Sequence, residues 1–509
     1  MHYPDLQGFI RLSNKYNTIP VFREIITDLE TVVSAFMKLA GNASYSYLLE
    51  SVEGGERWGR YSFFSWSPDR LFISKGETWA IKRNDGSVLE RGSCKDPLQK
   101  LRDVMSGYRP AEVEGLPRFW GGAVGYAGYE MARNFESIRA QDSRKTKEHG
   151  VTDLNDCIFM FTDVLVIFDH FTHKTKVVAC VKTENRRGRK YLGAAYKQAC
   201  KKIEGVLSKL HSGSHSGSSH YIPGRTGAGR VYPVISNISK DRFINIVRET
   251  KKYIRAGDII QAVMSQRFSK KTLRQPLDIY RALRTINPSP YMYYLNLNGF
   301  HLIGSSPEIL VRKEHRTAET RPIAGTRPRG RSEEEDRKFR AELLSSPKEK
   351  AEHIMLVDLG RNDLGRVCDY SSIRLPEFMA VEKYSHVMHM VSSVTGKLKP
   401  GRDAFDLFRA CFPAGTVTGA PKIRAMEIIS ELEPSARGPY AGAVGYFSYS
   451  GNMDMAITIR TIVFANGTAY IQAGAGIVAD SSPAREYVET KNKARALITA
   501  IGLAERGLQ

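Results

Sequence analysis

The chain has 509 residues, 42% hydrophobic and 25% charged, the make-up of a folded protein large enough for two ordinary domains or one large layered one. Its net charge of +21 is spread along the sequence, and the basic runs lack interleaved aromatics or any helix-turn-helix, zinc-finger or RNP-like segment, so no nucleic-acid partner is expected. The start, Met1-His2-Tyr3-Pro4-Asp5, has no leader pattern, no apolar run is long enough to span a bilayer, and six cysteines without paired spacing argue against disulfides and zinc, so no membrane role and a cytoplasmic location are expected.

Residues 1–204 read as short strands and turns. The most apolar run, Cys157 to Phe168, reads as a buried strand despite Asp163. Residues 205–235 are Ser/Gly/His-rich and read as a flexible linker. Residues 236–509 alternate helices and strands more densely. Ser239 caps a helix with apolar Phe243, Ile246, Val247 and Ile254, closed by Gly257, and Asp258–Phe268 follows as a strand. Further helices are expected from Pro347 to about Leu359, over Lys422–Leu432 and over Pro483–Ile501.

An internal echo points to duplication. Gly122-Ala123-Val124-Gly125-Tyr126 with Tyr129 recurs as Gly442-Ala443-Val444-Gly445-Tyr446 with Tyr449, each before a strand-like run, Ile158–Phe168 and Ala456–Phe464. The elements lack the β-α-β rhythm of a doubly wound sheet, so the fold class is α+β, with packed sheets and outer helices.

Two segments share an unusual shape. Ser346-Pro347 leads into Glu349 and Glu352, and Ser482-Pro483 leads into Glu486 and Glu489. Each reads as a helix start with Ser at the N-cap, Pro in the first turn and two carboxylates on one face. If the two helices face each other, four carboxylates converge, a donor set for a hard cation such as Mg2+. Solvated surface glutamates are the plainer alternative.

Four more segments carry functional residue types. Arg321–Gly330 is basic, rigid and Gly-containing. Pro413–Lys422 is a small-residue loop opening a helix, and Gly474-Ala475-Gly476 lies between a strand and the last helix; both are places where backbone amides can meet an anion. His386-Val387-Met388-His389 sets two histidines in an apolar context.

Together these segments resemble the chorismate-utilising enzymes, and among them the large subunits (component I) of anthranilate synthases, from about residue 20 to the C-terminus. The resemblance is most specific in Tyr253–Arg267, Arg321–Gly330, Glu349–Asp363, Pro413–Lys422 and Gly474–Val478. It implies a fold of packed antiparallel sheets flanked by helices in two related half-units, a regulatory region over 1–204 and a chorismate-binding region over 236–509. It implies a Mg2+-dependent conversion of chorismate and ammonia to anthranilate and pyruvate, opening tryptophan biosynthesis. Glu352 and Glu489 would touch the metal, with Glu349 and Glu486 reaching it through water. Glu308 would protonate the departing hydroxyl, His389 would serve the elimination, and Thr416 would hydrogen-bond near the ring. Tyr440 and Arg460 would hold the enolpyruvyl carboxylate with the amides of Gly474, Ala475 and Gly476, and Gly325 and Thr326 would line the pocket.

Two positions discriminate among sister reactions. Isochorismate-forming relatives carry lysine where this chain has Gln261, and many aminodeoxychorismate synthases carry lysine where it has Ala324. Some of the latter lack that lysine, so aminodeoxychorismate synthase component I, in folate synthesis, is the alternative. Glu50-Ser51 with Pro290-Tyr291-Met292 resembles a tryptophan feedback pocket. No cysteine has the Gly-x-Cys-x-Gly context of a glutaminase. Ammonia is therefore expected from a separate glutamine amidotransferase subunit (component II), and the resemblance implies a heterotetramer of two large and two small subunits.

Overall fold

Two twelve-stranded sheets run through the molecule. The structure, a computed structural model, describes residues 1–51, 59–138, 154–183, 188–212, 232–384 and 387–508. Every pairing among its named strands is antiparallel.

The strand order carries the duplication. Outward from its centre, the first sheet runs Tyr45–Glu50, Tyr61–Trp66, Val164–Asp169, Lys174–Lys182 and Thr18–Ile26 on one side. On the other it runs Tyr291–Leu297, Phe300–Ser306, Thr461–Ala465, Thr468–Ile477 and Gln261–Lys271. Within each half these strands come in the same sequence order: second, third, fourth, fifth, first. The second sheet repeats the scheme, with Gly122–Ala127, Cys157–Phe161, Arg70–Lys75, Thr78–Arg83 and Val88–Ser93 opposite Ala443–Ser448, Met453–Ile457, Ile309–Glu314, Thr317–Thr320 and Val387–Lys397. Each half therefore sends strands into both sheets.

The echoed motifs meet at the centre of the second sheet, where Gly125 pairs with Gly445. A Cβ on Gly125 would lie 1.8 Å from the Ile158 carbonyl oxygen, and one on Gly445 2.1 Å from that of Asp454. Close backbone approach thus accounts for both glycines. Side chains alternate across the strands as the pleat requires. Val124, Tyr126, Val444 and Tyr446 join Tyr293, Leu295 and Leu302 in the core between the sheets. Ala123, Ala127, Ala443 and Phe447 face outward against helices Pro97–Ser106, Pro347–Gly365 and Ala404–Cys411. The outer face of the first sheet packs on helices that include Arg189–His211, Pro276–Ile286 and Pro483–Glu505.

Several expected boundaries change. Cys157–Phe168 is a strand, a short turn and a second strand, because Asp163 sits at the break. Ala456–Phe464 is likewise split, with Arg460 at φ +49° in the break. The linker does not begin at 205: the helix Arg189–His211 continues through Ile203, Val206, Leu207 and Leu210, all buried, and the apolar spacing outweighs the Ser/His content there. Residues 213–231 lie outside the described residues. The Ser239 cap and the left-handed Gly257, at φ +82°, are as expected. No helix among the described residues is long and apolar enough to cross a membrane.

Candidate active site

The first Glu helix, Pro347–Gly365, starts as its sequence dictates, with the Ser346 hydroxyl accepting from the Glu349 amide at 3.4 Å. The second, Pro483–Glu505, departs from expectation: Ser482 occupies the N-cap but its side chain makes no capping bond. Instead Ser481 Oγ accepts from the Val478 amide at 3.1 Å, and the Ser481 side chain bonds Glu486. The serine one residue earlier thus makes the side-chain bonds at this helix start that the N-cap serine does not.

The two helices do bring their carboxylates into one field. Burial raises the Glu352 pKa, and Glu349 and Glu489 raise it further. Burial also raises that of Glu486, where Glu489 adds to the effect. Like charges that disfavour one another's ionisation mark a place for a cation. Lysines partly fill that need here: Lys493 Nζ lies 2.8 Å from Glu489 Oε1, and Lys348 acts on both Glu352 and Glu486. Among the described residues no three His, Cys, Asp or Glu side chains already stand at metal-ligand spacing. The donor set, hard carboxylate oxygens on two rigid helices, suits Mg2+.

Glu308 follows the strand Phe300–Ser306 and is 7% exposed. Burial pushes its pKa up to about 8, against the opposing pull of Thr416 and Lys493. Glu308 is therefore largely protonated at neutral pH, the state a general acid needs. Thr416, in the short helical turn Gly415–Val417, has a buried hydroxyl facing the Glu308 carboxyl. A small cavity of about 40 Å3 adjoins Glu308, Gly415 and Thr416.

His389 lies on Val387–Lys397, opposite Thr326 of the strand Ile323–Pro328. Its Nδ1 is 3.1 Å from the Gly325 carbonyl and 3.0 Å from Thr326 Oγ1. A carbonyl only accepts, so Nδ1 carries the proton and Nε2 is left as the basic nitrogen. Burial lowers the ring's pKa, keeping it neutral. Gly325 makes this possible: it has φ +63°, at a bulge in the ladder, and an added Cβ would lie 2.7 Å from Leu343 and 3.0 Å from Glu349 Oε2. His386 lies outside the described residues.

Arg460, lowered in pKa chiefly by burial, lies within electrostatic reach of Tyr440 and Glu489, and its Nη1 donates to the Lys493 carbonyl at 2.8 Å. Tyr440 is buried, and its hydroxyl lies close over Gly474. Gly474, Ala475 and Gly476 are not a free turn; they sit inside the strand Thr468–Ile477, paired with Ser265, Met264 and Val263. Their contribution is room: a Cβ on Gly476 would lie 2.4 Å from Gln261 Nε2. Lys493 is the site residue the motifs miss. It joins Glu489 to the Gly474 carbonyl, 3.0 Å away, and acts on Glu308 and Glu352. Its spacing four residues after Glu489 was the available signal.

A separate cavity of about 320 Å3 gathers the other set of expected residues, Glu50, Ser51, Pro290, Tyr291 and Met292. The central pairing of Glu50 with Met292 brings the two segments together. Glu50 is not an open acceptor, however: Tyr280 donates to it and Arg284 Nε lies 3.2 Å away. Tyr291 donates to Asp454 at 2.9 Å and accepts from Arg312 at 3.0 Å. A larger cavity of about 960 Å3 shares Arg118, Pro290, Tyr291, Arg312 and Glu314 with it and reaches Pro307 and Ile309, on either side of Glu308.

Comparison with known proteins gives the family and the fold. Residues 45–499 match the family described as chorismate binding enzyme. Anthranilate synthase component 1 of Aquifex aeolicus is 48% identical over 507 residues, 98% of each chain. The crystal structure of anthranilate synthase component I from Streptococcus pneumoniae superposes with a TM-score of 0.72 at 36% identity, covering 93% of this chain and 99% of that one. The menaquinone-specific isochorismate synthase of Escherichia coli shares the fold, with a TM-score of 0.68 at 17% identity, covering 97% and 98%.

Proposed function

Because this chain belongs to the chorismate-binding enzymes, we propose that it is the component I of an anthranilate synthase, converting chorismate and ammonia to anthranilate, pyruvate and water. The observation that carries the reading is a buried Glu308, its pKa pushed up to about 8, facing Thr416 and linked through Lys493 to the carboxylates of the two helices.

Glu352 and Glu489 would hold Mg2+ directly, with Glu349 and Glu486 behind water. The metal, when bound, supplies a Lewis acid for the ring carboxylate. The chain's own residues do the rest. Glu308 gives its proton to the departing ring hydroxyl, which leaves as water while ammonia adds to the ring carbon beside the carboxylated one. Thr416 hydrogen-bonds near the ring, beside Glu308. Arg460 and Tyr440 hold the enolpyruvyl carboxylate. His389 Nε2 then takes the ring proton as pyruvate is expelled and the ring becomes aromatic.

Gln261 and Ala324 favour this reaction over its sisters, since neither position offers a lysine to activate water or attack the ring. Ammonia comes from a glutamine amidotransferase subunit, two of each chain forming a heterotetramer. This chain's cysteines support that division of labour: all six have raised pKa values, burial leading in each case, so none is poised as a thiolate nucleophile. The Glu50–Met292 cavity takes tryptophan as a feedback inhibitor, its volume falling in the range of small-ligand pockets.

The test is to mix the purified chain with chorismate, ammonium and Mg2+ at alkaline pH and follow anthranilate fluorescence. Anthranilate with equimolar pyruvate is expected. A product that keeps its enolpyruvyl group would overturn the reading in favour of aminodeoxychorismate formation.

A further inference from the structure

Arg437 is 1% exposed, among the most deeply buried large side chains of the chain, and no sequence motif singles it out. Its guanidinium is bound on every side. Nε and Nη2 donate to Glu433 at 2.9 and 2.7 Å, Nη1 donates to the Val417 carbonyl at 2.8 Å, and Nη2 donates to the Val263 carbonyl at 2.7 Å. The group lies 4.8 Å from the centre of the Tyr129 ring and 5.5 Å from that of Tyr440.

These partners belong to different walls of one site. Val417 follows Thr416. Val263 pairs with Gly476. Tyr440 stands over Gly474. Glu433 is held in turn by the Ser265 amide and hydroxyl, both at 2.8 Å. The N-terminal half enters through Glu130, whose two carboxylate oxygens accept from the backbone amides of Arg437 at 2.8 Å and Gly438 at 2.9 Å. Breaking such a network leaves buried charge unpaired, so its members hold one arrangement.

We infer that Arg437, clamped by Glu433 and Glu130, is a positioning residue for the chorismate site, and that the N-terminal half contributes through Glu130 to substrate binding as well as to regulation. The inference rests on the function proposed above. Arg437 touches no reacting atom; it acts by fixing Tyr440 and the Thr416 loop.

The test compares Arg437→Lys and Glu130→Gln with wild type. Lysine keeps the charge, but one ammonium cannot span acceptors in a planar fork. Arg437→Lys is expected to lower kcat/KM for chorismate roughly hundredfold, the scale of a displacement of about 1 Å in a site wall. Glu130→Gln, which turns one acceptor oxygen into a donor facing an amide, is expected to raise the chorismate KM about tenfold with a smaller change in kcat. Both should keep the wild-type affinity for tryptophan measured without chorismate. Normal kcat and KM in both variants, or losses that only track the folded fraction seen by thermal unfolding, would overturn the inference. If Arg437→Lys does not fold, Glu130→Gln decides by the same readouts. If wild type itself makes no anthranilate, the functional reading fails separately, and calorimetric chorismate binding then decides: equal affinities in wild type and variants would overturn the positioning role.

Discussion

The two halves of this molecule have the same strand order and different side chains. In the C-terminal half, Ser306-Pro307-Glu308 turns from the strand Phe300–Ser306 into Ile309–Glu314, and its carboxyl is buried. In the N-terminal half, Ser67-Pro68-Asp69 makes the corresponding turn from Tyr61–Trp66 into Arg70–Lys75, and its carboxyl is 67% exposed, beside Arg70. The strand Thr468–Ile477 carries two glycines, whereas its counterpart Lys174–Lys182 carries none and packs Val177 and Val178 into the cores. The helix Pro483–Glu505 opens with Glu486 and Glu489, and its counterpart Arg189–His211 has a single glutamate, Glu204, in a surface cluster with His2 and Arg23. The shared architecture thus offers equivalent positions in both halves, and the side chains placed there differ in type and in exposure.

The sharpest way to break this comparison is to remove the acids of the C-terminal helices. Glu352→Gln and Glu489→Gln should each cost several kcal/mol of barrier, roughly a thousandfold or more in turnover, while Glu349→Gln costs less. Initial rates at saturating Mg2+, with EDTA as control, check this; turnover that survives EDTA would remove the metal from the account.

Glu308→Gln comes next, with a turnover loss on the order of 10²–10⁴-fold. It also carries a stability signature of the opposite sign. The folded pKa is about 8, against about 4.3 for an exposed glutamate. Between these values the unfolded chain has released the proton and the folded chain keeps it. The stabilisation is whole below about pH 4 and declines as pH rises to about 8, by up to a few kcal/mol. Wild type should therefore lose stability relative to Glu308→Gln across that window, read as a widening gap in unfolding midpoint. Parallel curves would show that the carboxyl is not buried as a neutral acid.

Ser51→Phe sharpens the contrast between regulation and catalysis. Filling the 320 Å3 cavity should raise the tryptophan inhibition constant at least about tenfold, within the usual range of coupling, and leave kcat near wild type. A tryptophan titration at fixed chorismate reads it, and reciprocity demands that in wild type chorismate weaken tryptophan binding by the factor by which tryptophan weakens chorismate binding. Equal sensitivity in the two proteins would sink the allosteric assignment.

Much of this site is legible in the sequence because its signals are local. Two Ser-Pro helix starts with carboxylates three apart place Glu349, Glu352, Glu486 and Glu489, and the echoed Gly-Ala-Val-Gly-Tyr motif marks strands that turn out to be neighbours. What is not legible depends on long-range packing. Nothing local shows that Glu50 is met by Tyr280 and Arg284, 230 residues away in the case of Tyr280. Gly474-Ala475-Gly476 reads as a segment after a strand that offers amides to an anion, yet it lies within a paired strand, where its glycines leave space for Tyr440 and Gln261. The helix over 205–211 was hidden by a polar composition that its buried apolar stripe overrides.

The smallest expected effect is the most direct test of the comparison. Asp69 occupies the N-terminal counterpart of the Glu308 position, and its only described ion pair is with Arg70, 3.3 Å away at the surface. An exposed pair of this kind contributes at most about 1 kcal/mol. Asp69→Asn should therefore leave kcat, the chorismate KM and the tryptophan titration at wild-type values, with at most a small drop in unfolding midpoint. Side-by-side kinetics with Glu308→Gln compares two Ser-Pro-acid turns at equivalent places, one with its acid exposed after a left-handed Ser67 and one with its acid buried after the strand residue Ser306. A large turnover loss in Asp69→Asn would mean that the N-terminal turn takes part in the chemistry, and the division of the two halves into one that binds the reacting ring and one that supports it would have to be abandoned.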